Sequence, residues 1–413
     1  MIQSIWPQAA NIPNGIPHSG TNTFAFMSFF LFCLASLPAL YFPVHQIRHL
    51  FTVKSYLVPI AGIAFLIWTI KKAGGIGPIV HQPSKLHGSA LAWAVIDMLM
   101  SCVENFVTLV VNDPDFTRFA RKPSDAVWSQ ILAIPFSFAI TSFIGIIVSS
   151  SSTVIYGETI WSPLQVLGNF LEGNHSGARA GVFFISAVFA LAQVGCNIAA
   201  NAISAGTDMT ALFPRYINIR RGGFICATIG FAMCPWRLLE TSNKFTTYLS
   251  AYTVFLSAIA GVIFCDYYLV RKGKLVIDDL YSADPSGIYY FFKGFSWRAY
   301  AAYICGVAIN ITGMVGAVGR KVPIGATRVY ELNFFGGFIV SAGTYYLFCR
   351  LSPVPGCPEK WDESEARIYD AIHYVEGVTV DDASSLPSGI VDDEDPDSKR
   401  GFSTLKQRFL GSV

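Results

Sequence analysis

Five polar side chains inside an otherwise apolar stretch are spaced to do chemistry. Gln193, Asn197, Asn201, Ser204 and Asp208 follow one another at steps of four, four, three and four within AQVGCNIAANAISAGTDMTALFPRYINIRRGG, residues 192–223. That spacing places all five on one face of an α-helix. Between them lie Ala192, Gly195, Cys196, Ala199, Ala200, Ala202, Ala205 and Gly206, small enough for a ligand or another helix to reach the backbone. Such a polar stripe in a membrane helix is costly unless it faces the bundle interior or a wet cavity. The stretch therefore reads as one wall of a substrate pathway.

A second stretch, 88–112, repeats the pattern. Ser101, Asn105, Thr108 and Asn112 share a face that leads into NDPDFTRF, where Pro114 ends the helix and frees backbone groups. Asn105 lies in mid-membrane and needs a partner. Asp113, Asp115 and Arg118 read as a gate or loop-fixing cluster at the cytoplasmic mouth, not as a substrate site. Asp97 and Glu104, seven residues apart, are proton-relay candidates because intramembrane carboxylates are rare and functional. Asp97 sits near the outer water boundary. Glu104 lies deeper, where it either carries a proton or is held in hydrogen-bonded packing. A flat, uncharged heterocycle would be held by a ring on its face and an amide on its edge. Phe106 and Asn201 could supply the two.

These residues need long membrane helices to position them, and the composition provides for that. Of 413 residues 53% are hydrophobic and only 14% charged, with a mean hydropathy of +0.46. A soluble domain carries roughly a quarter charged residues. Apolar spans are predicted at 24–44, 50–70, 88–112, 127–151, 180–204, 223–240, 246–267, 297–318 and 331–350. They form a polytopic all-α membrane protein with about nine membrane helices. Residues 1–22 read as the end of a helix and an extracellular loop, 23–352 as the membrane core, and 353–413 as a charged, disordered, cytoplasmic tail.

Lys/Arg placement orients the chain. The loops holding Arg48 and Lys54, Arg118 with Arg121 and Lys122, Arg215 with Arg220 and Arg221, and Arg271 to Arg298 fall on the cytoplasmic side. Asn174-His175-Ser176 is a glycosylation sequon in a loop placed outside. Asn310-Ile311-Thr312 matches the same pattern within an apolar span.

Several function classes are excluded. A net charge of +2 without a basic run gives no case for nucleic acid. The nine cysteines are scattered with no CxxC pair, and read as buried thiols rather than a disulfide framework or a metal site. None of the seven histidines stands in HExxH spacing, and there is no GxSxG, P-loop or dinucleotide fingerprint. No enzyme activity, cofactor or metal is expected.

NDPDFTRF, the 192–223 stretch, CPWRLLETSNKFTTYLSAYTVFLSAIAG and DYYLVRKGKL resemble the fungal uracil and allantoin permease branch of the nucleobase–cation symporter family. The likeness runs from residue 1 to about 355. It implies the leucine-transporter-type fold of five plus five inverted-repeat helices, with alternating access around a midplane site. It also implies three helices ahead of the span at 24–44, of which only the end of the third, Met1 to Trp6, falls in this chain. The first repeat would then be incomplete. The resemblance places the stacking aromatic on Phe106 and the ring-binding asparagine on Asn201, with Asn197 one turn earlier. The cation site of sodium-coupled relatives falls on Ala192, Gly195 and Cys196. Glycine and cysteine supply no hard hydroxyl oxygen there, so a sodium site is vestigial and proton coupling is implied. Phe245, Thr246, Leu249 and Tyr252 fall on the outer gate.

The resemblance thus implies a plasma-membrane importer of uracil, allantoin or a related nucleobase or ureide, driven by protons. The alternative is a truncated membrane protein that does not transport but associates with a full-length permease. A membrane enzyme would need a catalytic set that the sequence does not contain.

Overall fold

The computed structural model describes residues 1–42, 44–117, 120, 123–172, 176–237, 242–280, 282 and 284–363. Among these the only strand-like pairing is an isolated bridge between Phe292 and Phe295; the rest is helix and loop. The chain divides into two compact units, Met1–Ala251 and Tyr252–Val413.

The first unit opens with helices α1, Thr23–Tyr41, and α2, Val44–Ala73. Asn22 starts α1 by accepting a hydrogen bond from the Ala25 amide at 2.8 Å, the usual way to satisfy an orphan donor. Helices α3, Gly88–Glu104, and α4, Val107–Asn112, follow, then α5, Pro123–Tyr156. Helix α2 packs on α5 and on α6, Ser176–Asn197. Phe65, Val148, Val182 and Ile185 from these helices bury together with Val166, Leu167 and Phe170. Serine hydroxyls at the end of α5 fasten the neighbouring loops: Ser150 accepts from the Ile79 amide and Ser152 from the Ile160 amide. Helix α6 runs into a π-helical segment, Ile198–Ile203, and then α7, Ser204–Leu212. Helix α8, Ile219–Ala232, is capped by Asn218, which accepts from the Arg221 amide.

Helix α9, Ser242–Phe264, crosses the division between the units. In the second unit α10, Trp297–Ala317, lies along α11, Asn333–Leu351. A Cβ added at Gly306 would come within 2.9 Å of the Ala258 and Ser341 side chains, so glycine permits this approach. Asn310, fully buried, donates to the Asn333 carbonyl at 3.1 Å. It is therefore no glycosylation acceptor; Asn174 and His175 lie outside the described residues. At one end of the unit Asp266 accepts from Arg271 at 2.8 Å and from the Tyr345 hydroxyl at 2.7 Å. Burial works against the Arg271 charge, yet Asp266 beside it lifts the guanidinium pKa above its ordinary value.

Seven helices among the described residues are long and apolar enough to cross a membrane: Thr23–Tyr41, Ile47–Ala73, Ser124–Tyr156, Ser176–Leu212, Thr246–Val270, Trp297–Ala317 and Asn333–Leu351. The other two expected spans are shorter helices. The one at 88–112 is interrupted at Asn105–Phe106. The one at 223–240 stops at Ala232, where Cys234 takes a positive φ of 54° ahead of Pro235.

Two local expectations change. Arg48 and Lys54 both lie within the helix Ile47–Ala73 and not in a loop; the span expected at 50–70 already contained Lys54, and the helix starts ahead of Arg48 as well. Neither marks a loop for orientation. The segment after residue 353 is packed at least to residue 363. Arg298 donates to the Ser352 carbonyl at 2.7 Å, the Asp362 amide donates to the Lys272 carbonyl at 3.0 Å, and Trp361 stacks on Tyr268 with ring centres 5.8 Å apart. Residues 364–413 lie outside the described ones.

Candidate functional site

The polar stripe does not run along one uniform α-helix. Between α6 and α7 the backbone opens into the π turn at Ile198–Ile203, a wider geometry that recurs at functional sites. Ile198, Ala202 and Ile203 pack inward against Leu40 and Ile47. The register shift also turns Ser204 into the packed side, where it is buried. Ser204 thus leaves the stripe. Gln193, Asn201 and Asp208 remain exposed and Asn197 half-buried.

Asn201 donates from Nδ2 to Asn197 Oδ1 at 2.9 Å. A primary amide has two N–H groups and a two-lone-pair carbonyl. The bond uses one N–H and leaves Asn201 with an adjacent donor and acceptor. That pair matches an N–H beside a C=O on a ring edge.

The small residues have a second role. A Cβ at Gly206 would overlap the Ile219 carbonyl, and one at Gly222 would sit 2.7 Å from the Gly206 Cα. Helices α7 and α8 meet backbone to backbone there, so this part of the stretch joins helices while the amides stay open.

The second polar stretch breaks just where its candidates lie. Helix α3 ends at Glu104, Phe106 donates its amide to the Val103 carbonyl, and α4 restarts at Val107. Glu104 is 1% exposed, and the Ser250 hydroxyl of α9 donates to its Oε2 at 2.7 Å. Asn105 is exposed and donates to the Ser101 carbonyl one turn back at 2.7 Å, so its partner is its own helix. Phe106, half-buried, packs on Phe138 with ring centres 4.4 Å apart and planes at 56°. Asp97 is exposed.

The two stretches come together where the Asn112 side chain faces Asp208. Nearby, Asp113 accepts from Gln130 Nε2 at 3.0 Å, which supports a loop-fixing role. Asp115 is half-buried, and Arg118 lies outside the described residues. Of the expected gate residues, Thr246, Leu249 and Tyr252 are half-buried on α9, and the Phe245 side chain lies outside those described.

At the positions assigned to a vestigial cation site, the Cys196 thiol meets the ammonium of Lys54 at 3.5 Å, and Ala192, one turn earlier, is half-buried. Among the described residues no group of three His, Cys, Asp or Glu side chains could hold a metal ion. Ser250 and Phe138 were not among the residues the sequence singled out, and Lys54 was expected in a loop. A lone lysine inside an apolar run was the available signal for Lys54. Nothing separated Ser250 or Phe138 from other hydroxyls and aromatics.

A family model described as permease for cytosine/purines, uracil, thiamine and allantoin matches residues 1–337. The chain is 48% identical to the uracil permease of Saccharomyces cerevisiae over 370 residues and 48% identical to the allantoin permease of the same yeast over 369. Each alignment covers 87% of this chain and 58% of the relative, so the chain spans under two thirds of the relatives' length. Among solved structures it is similar to Mhp1, described as a nucleobase-cation-symport-1 family transporter in a closed conformation with bromovinylhydantoin bound. The TM-score is 0.60 at 20% identity, covering 88% of this chain and 75% of that one. The common fold is the leucine-transporter type.

Proposed function

The chain belongs to the family of permeases for cytosine/purines, uracil, thiamine and allantoin, and from that premise we propose that it carries a planar amide-containing heterocycle, uracil or allantoin in kind, across the plasma membrane by proton symport. The observation that carries this reading is the exposed amide of Asn201 on the π turn, tied to Asn197 yet keeping an adjacent donor and acceptor. In this reading Asn201 binds the N–H and C=O of the ring edge, and Asn197 fixes its amide plane. Phe106, backed by Phe138, covers the ring face. Asn105 lies next to that aromatic and adds a polar contact after leaving the Ser101 carbonyl. The substrate is neutral, so its polar edge is matched by hydrogen bonds and no ion pair is needed.

Glu104 is the proton site of this reading, with Asp97 as the relay toward outer water. A buried carboxylate in a membrane is costly and is a proton-relay candidate by default, and the Ser250 hydroxyl donates to this one. Thr246, Leu249 and Tyr252, with Phe245, form the outer gate; Asp113, Asp115 and Arg118 form the cytoplasmic mouth. The charged tail is cytoplasmic.

Uptake of radiolabelled uracil and allantoin by permease-deficient yeast tests the proposal. It is measured with this chain and with a chimera that supplies the remaining length of the yeast uracil permease. Saturable uptake that rises as the outer pH falls is expected. No uptake from either protein, with both at the cell surface, overturns the proposal in favour of a membrane protein that does not transport.

A further inference from the structure

We propose that the Lys54 ammonium is a built-in cation for the polar face of α6, and that Gly195 and Cys196 accommodate this side chain and hold no sodium ion. The functional meaning, a symport whose coupling ion is not sodium at this place, rests on the transporter reading. The site itself does not.

Three contacts define it. Nζ of Lys54 lies 3.5 Å from Cys196 Sγ and 5.4 Å from the centre of the Phe51 ring. The side chain runs directly over Gly195: a Cβ there would stand 2.9 Å from Lys54 Cδ, 3.2 Å from Nζ and 3.4 Å from Cε. Any residue larger than glycine at 195 therefore displaces the lysine. Lys54 sits inside an apolar helix long enough to span a membrane, where a lysine is rare. Among the described residues no carboxylate pairs with it. A thiol and an aromatic face are weak partners for an ammonium, so its positive charge stays largely uncompensated.

This arrangement disagrees with a sodium ion at the same place. Sodium is a hard cation that takes oxygen ligands, and residues 195 and 196 offer hydrogen and sulfur. A second positive charge would also stand beside the first, and close like charges repel. The two departures from hydroxyl residues thus share one cause. Glycine clears the path of the lysine stem and cysteine tolerates its head.

Two measurements on the purified chain test the proposal. Cys196 is exposed, so its modification by an anionic sulfonate thiosulfonate and by a cationic trimethylammonium thiosulfonate can be followed by mass spectrometry of its peptide. A fixed positive charge favours the anionic reagent, and Lys54→Gln should lower the anionic-to-cationic rate ratio about five-fold. An unchanged ratio overturns the proposal. In the second, the thermal midpoint is compared in sodium chloride and choline chloride at equal ionic strength. The natural chain should show the same midpoint in both, and sodium-specific stabilisation overturns the proposal. Neither readout needs transport, so a chain that carries no uracil can still pass or fail them. Where uptake is measurable, equal rates in the two salts are expected, and a drop of two-fold or more without sodium counts against the proposal.

Discussion

At the scale of single residues, the account rests on amides and one carboxyl. Glu104→Gln keeps the shape and the hydrogen-bonding capacity of the protonated acid while removing its titration. The variant should still bind substrate, with uptake no longer rising as the outer pH falls; a pH profile like that of the natural chain removes Glu104 from coupling. Phe106→Ala takes away the ring that Phe138 backs. It should weaken substrate affinity by about 1 kcal/mol, five-fold or so, read as a rise in the half-saturating concentration, whereas an unchanged value leaves Phe106 as core packing. Asn201, Asn197 and Glu104 stood out in the sequence as candidates because amides and acids are conspicuous in apolar runs. Lys54 was visible too but was counted with a loop, although the span expected at 50–70 already contained it. Ser250 could not be read, because a hydroxyl acquires meaning only once a helix far along the chain brings it 2.7 Å from Glu104.

At the scale of helices, the two departures from regularity matter most. Periodicity found the polar faces but ran straight through both interruptions, because neither the Asn105–Phe106 break nor the Ile198–Ile203 π turn contains a proline or glycine. Single-turn π segments of this kind leave no breaker residue for a periodic pattern to register. At the 223–240 span the signal was present but was overrun: Pro235 stands inside the expected span, and the helix stops at Ala232. The contact of α7 with α8 gives a sharp test. Gly206→Val places a branched side chain against the Ile219 carbonyl and should cost about 1–3 kcal/mol through overpacking, seen as a lower thermal midpoint of the purified protein. A midpoint equal to that of the natural chain would mean that the two helices do not meet at glycine.

At the scale of the whole molecule, hydropathy alone identified an all-helical membrane protein, and the motif likeness placed it among permeases. The tail boundary was less legible. Composition turns polar at Pro353, yet Trp361 stacks on Tyr268 and Tyr267 donates to Glu363. A chain ended at residue 351 should accordingly melt at a lower temperature than one ended at 363; equal midpoints would show these contacts to be dispensable. The central claim is that the Asn201 amide, on its π turn, receives a planar heterocycle. Equilibrium binding of labelled uracil and allantoin to the purified chain, with and without Asn201→Ala, tests it most directly. Loss of two hydrogen bonds from the ring edge predicts a rise in Kd of at least about ten-fold in the variant, with its thermal midpoint preserved. Equal affinity in the two proteins would contradict the account.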